Sequence, residues 1–294
     1  NTFTYYDTDG TTVLATGTID GVDADGKFYV NCNLTGLTTA GERGGKIVTR
    51  YNNPVTDTAI KKFGASSLQL DGVEDYLGID SNNDFGFGTG DFTIEAWVYK
   101  TVSSGAETIL DFRAGAGTDT AVALGVQGLD PYVHINGAYR IQSAGSITTN
   151  AWNHIAYVRS GTTGRLYVNG TSIGSWTDNI DYGVAKPLII GSVYTGTASY
   201  WTGWLDEIRI SKGIARYTSN FVAPLSAFVS DSDTKLLLHF DNADDSSIVI
   251  EDDTLNSQDI RFSNGATANF VTLADHTDFG GEVRSIASAC VYGN

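Results

Sequence analysis

The feature that most limits how this chain can fold is a two-residue alternation of apolar and polar side chains, cut at short intervals by Gly, Asn and Asp. FTIEAWVY puts Phe92, Ile94, Ala96 and Val98 on one face. HIAYVR sets Ile155, Tyr157 and Arg159 against His154, Ala156 and Val158. LDEIRI alternates Leu205, Glu207 and Arg209 with Asp206, Ile208 and Ile210. SLQLDG, RLYVNG, PLIIGSVY and KLLLHF read the same way. Successive side chains of a strand point to opposite faces, so this period marks half-buried strands. No long stretch has the 3.6-residue period of a helix. Asn169-Gly170 tolerates the positive φ angles of a tight hairpin turn. SKGIARY (Ser211 to Tyr217) is the one short helix expected. Many short strands with such turns predict an all-β protein, an antiparallel sandwich rather than a parallel α/β fold.

Composition narrows the partners. Eighteen Lys and Arg stand against 34 Asp and Glu, a net charge of −16. Phosphate backbones are gripped by clustered cations, so nucleic acid is excluded. No apolar run approaches the roughly 20 residues of a membrane helix, so no membrane insertion is expected. The acid concentrates in the last 69 residues, where 12 acids meet 3 bases. The expected organisation is an amino-terminal β extension over 1–45, a central domain over 46–240 and an acidic carboxyl-terminal β extension over 241–294. Cys32 and Cys290 lie in these two ends. A disulfide between them would be worth up to about 5 kcal/mol by chain entropy, and two buried thiols are the alternative.

The ordered set KKFGASSLQLDGVEDYLGI, DFTIEAWVY, AWNHIAYVR, LYVNG, LIIGSVY and YWTGWLDEIRISKGIARYTSNFVAP, followed by KLLLHFD, resembles the laminin-G-like, concanavalin A-like lectin/glucanase superfamily. The resemblance implies a jelly-roll β-sandwich of two curved antiparallel sheets. The variant with GIARYTSNF ahead of LLLHF is similar to modules of bacteriophage structural proteins and bacterial surface proteins. It implies a non-catalytic structural or adhesion protein of a virion appendage or other extracellular assembly. Such a protein would display a lectin-like surface for a glycan or cell-surface receptor and contact copies of itself or other subunits. A secreted carbohydrate-binding module is the first alternative and a glycoside hydrolase the second.

No enzyme is expected. Glycosidases of this superfamily carry an E-x-D-x-x-E string on one strand, and the chain has none. Asp206 and Glu207 are adjacent and so are expected on opposite faces. Asp91 and Glu95 share a face but lie roughly 13 Å apart by rise alone, beyond the spacing that glycosidase carboxylates need. The four His residues are scattered singly. The family resemblance also implies a structural Ca2+, with Asp71 and Asp206 as candidate ligands by position. DGVDADG fails the register of a calcium loop, because its sixth-position Gly26 puts Gly21 first and Cys32 twelfth.

A sugar-binding surface needs an exposed aromatic face beside groups that fix hydroxyls. VYTGTASYWTGW supplies Tyr194, Tyr200 and Trp201. YVHINGAYR supplies Tyr132, Asn136, Tyr139 and Arg140, and Trp176 ends the Asn-Gly hairpin. Trp97 and Trp152 are expected to be core.

Overall fold

Antiparallel strands account for nearly all regular structure in the computed structural model. It describes residues 46, 48–115, 120–194 and 196–241 in full, and only the backbone of 2–6, 13–22 and 28–33. Strands β1 (Thr2–Tyr6), β2 (Val13–Val22) and β3 (Phe28–Asn33) form a three-stranded sheet of their own. The main body runs through β4 (Thr49–Tyr51), β5 (Val55–Asp57), β6 (Ser67–Asp71), β7 (Tyr76–Asn82) and β8 (Phe92–Lys100). It continues with β9 (Ala106–Asp111), β10 (Ala123–Gln127), β11 (Asp130–Ile135), β12 (Ala138–Gln142) and β13 (Trp152–Ser160). The remaining strands are β14 (Thr163–Val168), β15 (Thr171–Thr177), β16 (Lys186–Ile190), β17 (Thr202–Lys212) and β18 (Thr234–Leu238).

Two sheets result. One has seven strands in the order β12-β11-β10-β9-β16-β7-β4. The other has eight, β15-β14-β13-β8-β17-β6-β5, with β18 on β17. The chain crosses repeatedly from one sheet to the other, and every pairing is antiparallel. This is the antiparallel sandwich that the alternation predicts and the jelly roll that the family resemblance implies. Phe92, Ile94, Ala96 and Val98 of β8 and Ile155 and Tyr157 of β13 enter one continuous core with Leu110, Leu124, Val133, Leu188 and Ile190 of the facing sheet. Asn169 (φ 49°) and Gly170 (φ 80°) make the expected tight turn, and a Cβ at Gly170 would strike the Phe221 carbonyl.

The sequence reading fails at LDEIRI. Opposite β8, Asp206 pairs with Trp97 but Arg209 pairs with Glu95, so two residues of β17 face one of β8. Glu207 takes a positive φ of 52° at this bulge. A bulge bends a strand and re-aims its side chains. Leu205, Ile208 and Ile210 therefore all enter the core, and Asp206 and Glu207 do not take opposite faces. Asp206 accepts the amides of Lys62 and Phe63 at 2.8 and 3.2 Å. Glu207 meets His239 Nδ1 at 2.6 Å and accepts the amide of Phe228 at 2.5 Å. The bend also lets one long strand serve β6 with its first half and β18 with its second.

SKGIARY is not helical. β17 runs through Lys212, and residues 213–230 form an irregular strap over the outer face of the eight-stranded sheet. Gly213 (φ 95°) starts it, and Arg216 is held by Ser211 and Asp231. Under the strap, Trp97 is buried with Phe228 and Leu237, a second cluster apart from the core between the sheets, and Trp152 is only half-buried there. Glu95 lies in the same layer. It accepts Arg209 at 2.7 and 2.8 Å and Tyr217 Oη at 2.9 Å, and His154 Nε2 lies at 3.1 Å.

Asp206 is fully buried, and its Oδ1 has no hydrogen-bond partner. Burial, and after it the two amide bonds working the other way and the charge of Glu207, leave its carboxyl pushed up to about 7. A carboxyl raised on folding stabilises most when protonated. Its contribution is complete below about pH 4 and is lost as pH rises through about 7. Asp206→Asn should flatten this decline, as urea melts at pH 4.5 and 7.5 would show.

Candidate functional site

The outer face of the seven-stranded sheet is where predicted aromatic residues converge. Cross-strand partners share a face. Tyr139 pairs with His134, His134 with Ala123, Ala123 with Asp111, Asp111 with Ile189, and Ile189 with Gly78. One row thus crosses six strands on the side away from the core. Its small members leave the middle low. At the next level Gly125 pairs with Tyr132, and a Cβ on Gly125 would come within 2.4 Å of the Tyr132 Oη. The Tyr132 ring therefore lies flat across the sheet, and burial pushes its hydroxyl up to about 12.

Asp111 organises the site. It is fully buried. Its Oδ1 accepts the Arg113 amide and Nε, both at 2.9 Å, and its Oδ2 accepts Arg113 Nη2 at 2.6 Å and the Tyr194 amide at 3.0 Å. One carboxylate so ties the loop after β9 to the loop after β16. Fork-to-fork pairing of this kind is strong and directional. The guanidinium lies 4.9 Å from the Tyr194 ring centroid, and Arg113 Nη1 lies 3.5 Å from His134 Nδ1. His134 meets Tyr139 edge-on at 5.2 Å, and Tyr139 meets Tyr132 at 5.1 Å. Tyr139 is 52% exposed. Burial, then the Arg113 charge, lowers the His134 pKa, so the ring is neutral at neutral pH.

The predicted residues divide. Tyr132, Tyr139 and Tyr194 come together. Arg140 lies nearby, donating to the Ile135 carbonyl at 3.2 Å and stacking 5.0 Å over Trp176 at the sandwich edge. Asn136 (φ 51°) forms the tip of the β11–β12 hairpin. Tyr200 belongs elsewhere: it donates to the Gly196 carbonyl, above the Tyr76 ring that stacks on Tyr51 at 4.3 Å. Trp201 is corrected outright, because it is fully buried in the core and cannot meet a ligand. Asp111, Arg113 and His134 were missed. The spacing D-x-R at a strand end was the available signal, since a residue and its second neighbour can close a fork over the strand's last turn.

Asp71 and Asp206 do not fit one Ca2+. Asp71 is opposite Thr202, four residues from Asp206, or roughly 13 Å along the strand. Asp71 accepts the Val73 amide in a tight turn, and Asp206 is sealed beneath residues 62–63. Among the described residues no group of three or more His, Cys, Asp or Glu is placed to hold a metal ion. Cys32 is in β3, whose side chains lie outside the described residues, as does Cys290.

Two antiparallel sheets of seven and eight strands, packed face to face with one outer face uncovered by any strap among the described residues, define a jelly-roll β-sandwich of the lectin type. The match to the concanavalin A-like lectin/glucanases superfamily covers residues 71–217, half of the chain, and the chain belongs to that superfamily. Three solved structures are similar in fold. A protein from Bacteroides ovatus is 16% identical at a TM-score of 0.48, with 77% of this chain and 63% of that chain covered. This chain thus spans less than two thirds of that protein. Domain 4 of AbnA, a GH43 extracellular arabinanase from Geobacillus stearothermophilus solved with arabinotriose, is 17% identical at 0.46, covering 60% and 86%. The enzymatically active domain of tailspike protein 2 from bacteriophage CBA120 is 16% identical at 0.48, covering 71% and 35%. No curated protein matches the chain.

Proposed function

We propose that this chain is a non-catalytic glycan-binding module, displayed on a virion appendage or other extracellular assembly. The observation that carries the reading is the Tyr139–His134–Arg113–Tyr194 cluster, built on one sheet row and fixed by a buried carboxylate. Tyr139 offers an open aromatic face for the apolar side of a sugar ring. Arg113, His134 and the tyrosine hydroxyls hold its polar groups. No hydrolytic role is supported, because Asp111 has both oxygens committed to Arg113 and Tyr194. Glu95 is likewise neutralised under the strap.

The assembly part of the reading rests on the family resemblance of the GIARYTSNF variant. An extracellular or virion-surface location follows from it. Among the described residues no helix is long and apolar enough to cross a membrane. Native mass spectrometry would report whether the chain assembles with its own copies or other subunits.

A glycan array followed by calorimetry tests the binding. Tyr139→Ala should lower affinity about three- to tenfold with an unchanged melting temperature, since the ring is half exposed and its loss leaves no cavity. Binding that survives both Tyr139→Ala and Tyr194→Ala would place the site elsewhere.

A further inference from the structure

We infer that the ligand of this cluster is an acidic saccharide, recognised through a sugar carboxylate seated against Arg113 and His134; the inference rests on the glycan-binding reading above. Neutral sugars present hydroxyls that both give and accept, so a site for them needs free acceptors as well as donors. Here the carboxylate of the row is used up, and the acceptors left open are tyrosine hydroxyls, which also donate. Asp111 takes four N–H bonds, from the Arg113 amide, Nε and Nη2 and from the Tyr194 amide. The Arg113 Nη1–His134 Nδ1 contact assigns the ring proton of the neutral imidazole to Nε2. Nε2–H has no partner among the described residues, and neither does the Tyr139 hydroxyl. The cluster is therefore richer in donors than in acceptors, around a guanidinium whose orientation is already fixed. A planar carboxylate supplies acceptors on two oxygens and pairs with such a group by charge-assisted bonds. The open face of Tyr139, beside His134, receives the ring that carries it.

The charges around His134 agree. Asp111 faces it from β9, Arg113 from the loop after β9, Arg140 and Tyr139 from β12, Tyr132 from β11 and Tyr194 from the loop after β16. Arg113 and Arg140 both hold the imidazole in its neutral form, against the single charge of Asp111. Arg140 has no carboxylate partner among the described residues. A second ring proton would go to Nδ1, which faces the Arg113 Nη1 donor at 3.5 Å, so the imidazole stays neutral with the anion bound. Binding then takes up no proton at His134.

The test uses the full chain and paired probes: oligosaccharides bearing uronic or sialic-type acids, each beside its carboxyl-reduced counterpart with a hydroxymethyl group in place of the acid. The expected result is at least about a tenfold preference for the acid form. Arg113→Gln should erase the preference, and His134→Phe, which removes the Nε2–H donor, should lower affinity for the acid form more than for the reduced form. Circular dichroism on both variants checks the fold, and the His134→Phe comparison stands even where Arg113→Gln unfolds. Equal affinity for acid and reduced forms overturns the inference and leaves the glycan reading intact. Binding of no glycan in either form overturns the glycan reading itself.

Discussion

Lys100→Met should destabilise this protein by about 3–5 kcal/mol, the range found when one partner of a buried ion pair is removed. Lys100 ends β8 and points inward, and Glu107 reaches it from β9 of the other sheet. Their side chains are 0% and 6% exposed, and they are paired directly. The Lys100 amine also sits 5.5 Å from the Trp201 ring centroid. Burial lowers the pKa of the lysine and raises that of the glutamate, and their mutual pairing, with Thr202 hydrogen bonds to Glu107, works against both shifts. With Met at position 100, Glu107 is left as a desolvated acid at the end of the core. The melting temperature should fall by roughly 10 °C. Lys100→Met with Glu107→Leu should recover most of the loss, because apolar replacement of both members of a buried pair is often neutral. A single variant within 1 kcal/mol of wild type by urea titration would show that the pair is not dry.

The second large effect is at Glu95. Glu95→Gln should also cost about 3–5 kcal/mol, because it leaves Arg209 under the strap without its counter-charge. Arg209 lies 4.1 Å from the Phe228 ring centroid and donates weakly to the Val229 carbonyl at 3.4 Å, so no other strong acceptor replaces the carboxylate. The pH dependence has a definite sign. Burial pushes the Glu95 carboxyl up, but the His154 hydrogen bond and the Arg209 charge outweigh it, and the net pKa is lowered. A carboxyl lowered on folding stabilises fully above its unfolded value, about 4.3, and that stability is lost as pH falls through the folded value. Glu95→Gln should therefore weaken less than wild type as pH falls from about 5 to 3. This dependence is opposite in sign to that of Asp206, whose contribution is lost as pH rises. Equal acid sensitivity in Glu95→Gln and wild type would assign the effect to other groups.

These two sites show what the alternation could and could not disclose. The inward faces of β8 and β13 were legible because both strands lie inside a sheet with regular partners on each side. The bulge at Asp206–Glu207 was not. It carries no Gly, and it exists because β17 must leave β6 and reach β18, partners distant in sequence. The helix expected at Ser211–Tyr217 failed for a related reason. Its polar groups find partners in the sheet beneath, Thr93 Oγ1 accepting the Arg216 amide at 3.0 Å. At the candidate site, the hairpin aromatics Tyr132 and Tyr139 were readable as neighbours because one short turn joins their strands. Tyr194 joins them through Asp111, 83 residues away, and through Arg113 over its ring, contacts that no local pattern contains. Trp201 and Tyr200 are adjacent in sequence, yet one is sealed and the other half-exposed, a difference decided by which residue begins the return into the sandwich.

The strap has a consequence for how such a module can be used. It closes one broad face of the sandwich, while on the opposite face Tyr139 stands exposed beside the half-buried His134, Arg113 and Tyr194. On the proposed glycan reading, a saccharide approaches from one direction only, and a single copy does not cross-link two chains by gripping one on each side. Where many copies are mounted on a common scaffold, useful multivalency depends on every copy being turned the same way. A weak grip per copy then becomes a firm hold, because each engaged copy raises the local concentration of sugar for the next.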